Sequence, residues 1–219
     1  MTVTTANQIA IQKNNSAVSL IAAGDCDSAI SALSSALKTY KQITEEADKH
    51  PQPVKTSLDQ CMTQSPVTLA KASNEEERYM YRQAIHIPLT IECNYQASIM
   101  VSVMIIFNLA LAHQLSAVGS HKKQLKLRKA AKLYELGFNM QRDLNFENNN
   151  VLFTLATMNN LGLIHHKLND GDTANQFFEK LLSTLMVLID CGGGDVCELD
   201  GFLRNVSNLI SEPCIAAAA

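Results

Sequence analysis

Tryptophan is missing from this chain of 219 residues, and aromatic side chains of any kind make up only 5% of it. That scarcity removes the stacking platforms on which single-stranded nucleic acids are usually held. An excess of one charge is missing as well: 18 Lys and Arg face 21 Asp and Glu, a formal net charge of −3. No global field draws the chain to nucleic acid or to an anionic membrane, so such a role requires a local patch. There is no glycine-rich phosphate loop followed by lysine, no Gly-x-Ser-x-Gly elbow, and no combination of nucleophile, base and oxyanion donor. An enzyme is therefore not expected, and neither is a cofactor. The opening "MTVTTANQIAIQKNN" shows no basic stretch leading into an apolar one and a cleavage site, so the expected address is cytoplasmic, with the nucleus as the other option. The longest apolar stretch, "SIMVSVMIIFNLALAHQL", is interrupted by Ser98, Ser102, Asn108 and His113 and falls short of the roughly 20 apolar residues of a membrane span. It reads as a buried helix. Cys26, Cys61, Cys93, Cys191, Cys197 and Cys214 are scattered, which fits reduced thiols.

What the chain does have is helical periodicity in blocks. Between residues 6 and 46, Ala17, Leu20 and Ile21, then Ile30, Leu33 and Leu37, recur at three- and four-residue intervals on either side of "AAGDCD". This predicts a helix, a tight turn at Gly24, and a second helix capped by Asp25 or Asp27. Residues 47–94 carry Pro51, Pro53, Pro66 and Pro88 in a Ser/Thr-rich background with no helical pattern, and predict a long irregular insertion. Within it, residues 79–88 place Tyr79, Tyr81, Ile85 and Ile87 at alternate positions, the pattern of an extended segment with one apolar face. Such a segment can lie across the helices. Helical patterns return over 95–117, 122–142, 150–168 and 173–190, two further pairs. "CGGGD" ends the last of them, and an amphipathic piece over 199–211 predicts a C-terminal capping helix. One helical domain over 1–219 is the expected organisation.

Small residues carry a family resemblance. Met158, Leu161, Gly162, His165, Ala174 and Phe178 fall at the spacing of the tetratricopeptide repeat, whose small positions let two antiparallel helices approach. The same interval separates Ala17 from Ala29, and "GDCDSAI" resembles the repeat's turn into its second helix. A distorted copy has Ile106, Leu109, Ala110 and His113, with Ala130 and Tyr134 arriving late across "AVGSHKKQ". The chain thus resembles tetratricopeptide-like proteins over about three helix pairs. "IIFNLALAHQL", "MNNLGLIHH" and "DGFLRNVSNLI" resemble more narrowly a group of such proteins from diatoms, of no known activity. The fold this implies is all-α, a short solenoid of antiparallel pairs. Two features depart from the pattern: histidine stands at His113 and His165 where the family's first helix has tyrosine, and the insertion separates the first pair from the second.

Such arrays bind peptides along the concave face of their first helices. The resemblance implies that Asn15, Asn108 and Asn160 face that groove and bond a peptide backbone; alternatively they bridge neighbouring repeats or face water. Near Asn108 and Asn160 no basic residue stands in a matching place, so a clamp for a terminal carboxylate is not expected. His165 and His166 are adjacent and so point about 100° apart, unlike a same-face metal pair, and His113 and His165 read as packing residues with a satisfied ring nitrogen. Cys191 and Cys197 lack the second ligand pair of a zinc site. No metal is expected. The basic helix 121–132, with Lys122, Lys123, Lys126, Arg128, Lys129 and Lys132, reads as a solvated face or as a site for an acidic partner or nucleic acid. The function expected is a protein-interaction scaffold for a peptide or partner helix, the alternatives being a self-associating assembly protein or binding through that basic helix.

Overall fold

The computed structural model describes residues 3–47, 78–89, 95–143, 151–192 and 196–211, and all their side chains except those of 3–6, 40–47, 95–96, 143, 196–198 and 208–211. These form seven helices: α1 (Val3–Ala22), α2 (Cys26–Ala47), α3 (Tyr95–Ser116), α4 (Lys123–Asp143), α5 (Val151–Lys167), α6 (Gly171–Asp190) and α7 (Val196–Ser211). No strand occurs among the described residues, and the fold class is all-α. Most of the Pro/Ser/Thr-rich insertion and the closing residues 212–219 lie outside the described residues.

Two of the inter-helix turns are built alike. After α1, Gly24 takes φ 83° and the Asp25 carboxylate accepts from the Ser28 N–H at 3.2 Å. After α5, Asn169 takes φ 62° and Asp170 Oδ1 accepts from the Thr173 N–H at 3.3 Å. Glycine and asparagine tolerate the left-handed conformation that reverses the chain, and the aspartate satisfies an N–H left open by the next helix. Asp25, rather than Asp27, is the cap. The turn between α3 and α4 is longer, as the late Ala130 and Tyr134 predict, and Lys126 closes it by donating to Ser116 O at 3.1 Å.

The chain divides into two compact units. The first comprises Met1–Ser65 and Arg82–Asn150, the second Pro66–Tyr81 and Val151–Ala219. In the first, α1 packs on α2, α2 on α3 and α3 on α4, and α1 also reaches α3. Ala17, Ala29, Leu33 and Ala36 have no exposed surface, so small side chains let α1 and α2 approach closely. Helix α3 is apolar around its whole circumference. By length and composition its residues Ala97–Ser116 pass the test for a membrane span, but 72% of the most apolar window is buried against the rest of the fold. Phe107 meets Tyr134 edge to face at 5.4 Å, and the Tyr134 hydroxyl donates to Gln114 Oε1 at 3.0 Å.

In the second unit α5 packs on α6 and α6 on α7, and α5 reaches α7. The mid-helix Gly162 is explained here. A Cβ at this position would lie 2.7 Å from Phe178 Cε1, so the absence of a side chain admits the α6 ring against the α5 backbone. Glycine costs about 1 kcal/mol of helix propensity relative to alanine, and burial of Phe178 offsets it.

Candidate functional site: asparagine clamps on an extended strap

Residues 78–88, the strap, are extended although no strand lies beside them. In an extended chain each residue points its N–H and C=O to the same edge, and successive residues alternate edges. Tyr79, Tyr81, Ile85 and Ile87 turn that edge toward asparagine side chains, whose amides supply what a neighbouring strand otherwise would.

In the first unit, Asn108 of α3 grips Ile85 from both sides: its Oδ1 accepts from Ile85 N at 2.7 Å and its Nδ2 donates to Ile85 O at 2.8 Å. Asn15 of α1 grips Ile87 in the same way, at 2.9 and 2.8 Å. Between them Asn14 donates to Ile85 O at 3.1 Å and to Asn15 Oδ1 at 3.1 Å, and accepts from Asn108 Nδ2 at 2.9 Å. Asn14 and Asn108 have no exposed surface. Their amide donors and acceptors are consumed by the strap and by one another, which buried polar groups require.

In the second unit the arrangement recurs bond for bond. Asn205 of α7 grips Tyr79, at 2.8 Å from its N–H and 2.6 Å to its carbonyl. Asn160 of α5 grips Tyr81, at 3.1 and 3.0 Å. Asn159 takes the bridging place of Asn14: it donates to Tyr79 O at 3.1 Å and to Asn160 Oδ1 at 3.2 Å, and accepts from Asn205. Helices α1 and α5 each contribute an Asn-Asn pair, and α3 and α7 a single asparagine.

Side chains follow the same parity. Tyr81, Ile85 and Ile87 are buried, whereas Arg82 and His86 are exposed. Pro88 falls at an even position, where its missing N–H costs no clamp. The Tyr79 ring lies on α7 where Gly201 has no side chain, since a Cβ there would sit 2.6 Å from ring atoms. Tyr79 meets Phe202 edge to face at 5.4 Å, and Tyr81 stacks on the same ring at 6.0 Å. Burial pushes the Tyr79 phenol above its ordinary pKa. Arg78 places its guanidinium 5.2 Å over the Phe178 ring.

Asn15, Asn108 and Asn160, the three residues singled out in the sequence, all hold the strap. Asn108 also bonds Asn14 of α1, whereas Asn15 and Asn160 bond the adjacent asparagine of their own helix. Asn14, Asn159 and Asn205 were missed. Asn205 had a signal: Asn15-Ser16-Ala17, Asn108-Leu109-Ala110, Asn160-Leu161-Gly162 and Asn205-Val206-Ser207 all place a small residue two after the asparagine.

The remaining candidates lie elsewhere. His165 donates or accepts at Asp170 Oδ2 across 3.0 Å and stacks on Phe177, which fits a packing role. His113 departs from expectation, because its buried Nδ1 has no hydrogen-bond partner among the described residues. Burial, then Lys129 and Lys126, hold its pKa below the ordinary value. Lys126 stands 3.5 Å from Asp27 of α2, while Lys122, Lys123, Arg128, Lys129 and Lys132 are exposed. Cys191 is an exposed free thiol, and the Cys197 side chain lies outside the described residues. Among the described residues no three His, Cys, Asp or Glu side chains converge as a metal site. No family model, curated protein or solved structure matches the chain.

Proposed function

We propose that this chain is a non-catalytic scaffold of tetratricopeptide-like helix pairs that binds an extended peptide through asparagine amides on the first helices, and that residues 78–88 fill those amides in cis and regulate access. The supporting observation is the two-sided grip of Asn15, Asn108, Asn160 and Asn205 on alternate main-chain units. Main-chain recognition of this kind accepts any chain that extends, with side-chain pockets adding selectivity. A tethered segment competes at high effective concentration, so a partner succeeds only with better side-chain contacts or when the strap is weakened. The clamp asparagines are neutral, so binding there is indifferent to moderate salt, unlike attraction to the basic face of α4.

The test replaces residues 78–88 of the full chain with a Gly/Ser segment of equal length and compares quantitative affinity capture from the source lysate, with helicity checked by circular dichroism. Partner retention should rise on replacement and fall again when Asn160→Arg is added to the replaced chain. Unchanged retention in a chain that keeps its helicity refutes gating by the strap. One observation favours a second reading, self-association: Met186, Val187 and Ile189 near the end of α6 are 57%, 64% and 47% exposed. A solution mass that grows with concentration and reverts with Val187→Lys would support it.

A further inference from the structure

The two clamps grip the main chain identically but treat side chains differently. In the first unit the gripped residues are aliphatic, Ile85 and Ile87. In the second they are Tyr79 and Tyr81, and both rings meet aromatic or bare-backbone surface: Gly201 leaves the α7 backbone bare under the Tyr79 ring, and Phe202 meets Tyr79 edge to face and stacks on Tyr81. A flat ring fits against bare helix backbone, whereas a β-branched side chain brings bulk close to its own main chain. Offset and edge-to-face ring pairs add attraction beyond the area they bury.

We infer that the clamp of the second unit is a receptor for an aromatic dyad, an extended peptide with Tyr or Phe at positions i and i+2. Asn205 and Asn160 set which residues are gripped, and Gly201 with Phe202 selects rings at those positions. This rests on the proposal that the clamps accept a peptide in trans. The register follows from geometry. The N–H groups of the dyad are required and the one between them is free, so proline or an N-methyl group is tolerated only at the intervening residue.

The experiment uses the full chain carrying Tyr79→Gly and Tyr81→Gly, which weakens the strap at the second clamp and leaves Ile85 and Ile87 in place. The probe is a synthetic peptide of residues 78–83, Arg-Tyr-Met-Tyr-Arg-Gln, titrated while the side-chain amide signals of Asn160 and Asn205 are followed by NMR. Binding is expected, weakened at least tenfold when both tyrosines of the peptide are replaced by isoleucine. N-methylation at either tyrosine should abolish it, and N-methylation at the methionine should leave it unchanged. Gly201→Ala in the receptor should weaken the tyrosine peptide selectively, as should Phe202→Leu, with helicity retained as the control. Equal binding of tyrosine and isoleucine peptides, or equal loss of both on Gly201→Ala, overturns the ring selectivity and leaves the clamp proposal standing. Failure of any peptide to move the asparagine signals overturns both.

Discussion

Asn108→Ala tests whether the strap is held by the clamps or merely rests on them. The substitution removes the acceptor of Ile85 N–H and the donor to Asn14 Oδ1, while Ile85 O keeps the 3.1 Å bond from Asn14. Two polar groups are thereby orphaned at a site with no exposed surface. An unsatisfied buried group costs about 1–3 kcal/mol, so the expected loss is roughly 2–6 kcal/mol, a large share of the about 5–15 kcal/mol that stabilises a domain. Asn15→Ala is the control. It also breaks a two-sided grip, but Asn15 is half-buried, so water can reach the freed groups and the cost should be about 1 kcal/mol. Urea unfolding followed by circular dichroism measures both, and amide exchange at Ile85 reports the strap directly. A third variant separates hydrogen bonding from volume. Asn108→Asp keeps the shape but turns an oxygen toward Ile85 O and Asn14 Oδ1, both of which need a donor. Burial without a donor raises the folded-state pKa of the introduced carboxyl above its unfolded value of about 3.9. Its stability is then greatest below about pH 4 and is lost as pH rises through the raised folded value, opposite to the usual carboxylate. Equal stabilities for Asn108→Ala and Asn15→Ala, unchanged exchange at Ile85, or a flat pH profile for Asn108→Asp would refute the account of the clamp.

The other predictions are more local. Gly162→Ala gains about 1 kcal/mol of helix propensity but drives a Cβ to 2.7 Å from the Phe178 ring, and overpacking costs about 1–3 kcal/mol; the melting temperature should fall and recover when Phe178→Leu is added, whereas a rise refutes the close approach. His113 has a folded-state pKa below its unfolded one, lowered by burial first and by Lys129 and Lys126 after it. Its contribution is therefore fully present above the unfolded value of about 6.5 and is lost as pH falls through the depressed folded value. Unfolding midpoints between pH 7 and 5 should show that loss in the wild type and a smaller one in His113→Leu. Asp170→Ala removes the cap of α6 and a partner of His165 Nδ1, and should lower the melting temperature, whereas an unchanged melt refutes the capping role.

The helices were legible because their signals are local. The apolar intervals of α1 and α2, the Gly24-Asp25 turn and the small residues Gly162 and Ala174 each constrain only their near neighbours in the chain, and the structure has them in helices, turn and core as expected. Period-two alternation likewise marked residues 79–88 as extended. The clamps were only half legible. Asn15, Asn108 and Asn160 stood out by matching one another, but their partners in the strap lie far away in sequence, and pairing at that distance leaves no periodic trace. Asn14 and Asn159 were hidden for another reason. Their work is to bridge two other asparagines, a role that has no pattern until both neighbouring helices are in place.

The repetition of the clamp bears on why asparagine holds these positions. Gripping one residue's N–H and C=O together takes an acceptor and a donor on separate atoms, which an amide has; aspartate lacks the donor, and a serine or threonine hydroxyl carries both functions on one oxygen. Glutamine has the amide but one more rotor, and ordering that rotor opposes the grip. Asparagine reaches from a helix to the strap with two torsions, and the bridging amides of Asn14 and Asn159 bond both gripping asparagines beside them. The small residue two places after each gripping asparagine completes the arrangement. Ala17, Ala110 and Gly162 are buried where the paired helix comes close, whereas Ser207 in α7 is exposed and no helix follows it among the described residues. Helix α7 carries a gripping asparagine of the second clamp, as α3 does of the first. Truncating the chain before α7 should therefore free Tyr79 from its grip, measured as loss of amide protection there, while Tyr81, held by Asn160, and Ile85 and Ile87 stay protected. Protection retained at Tyr79 after that truncation would show that α7 caps the fold and takes no part in holding the strap.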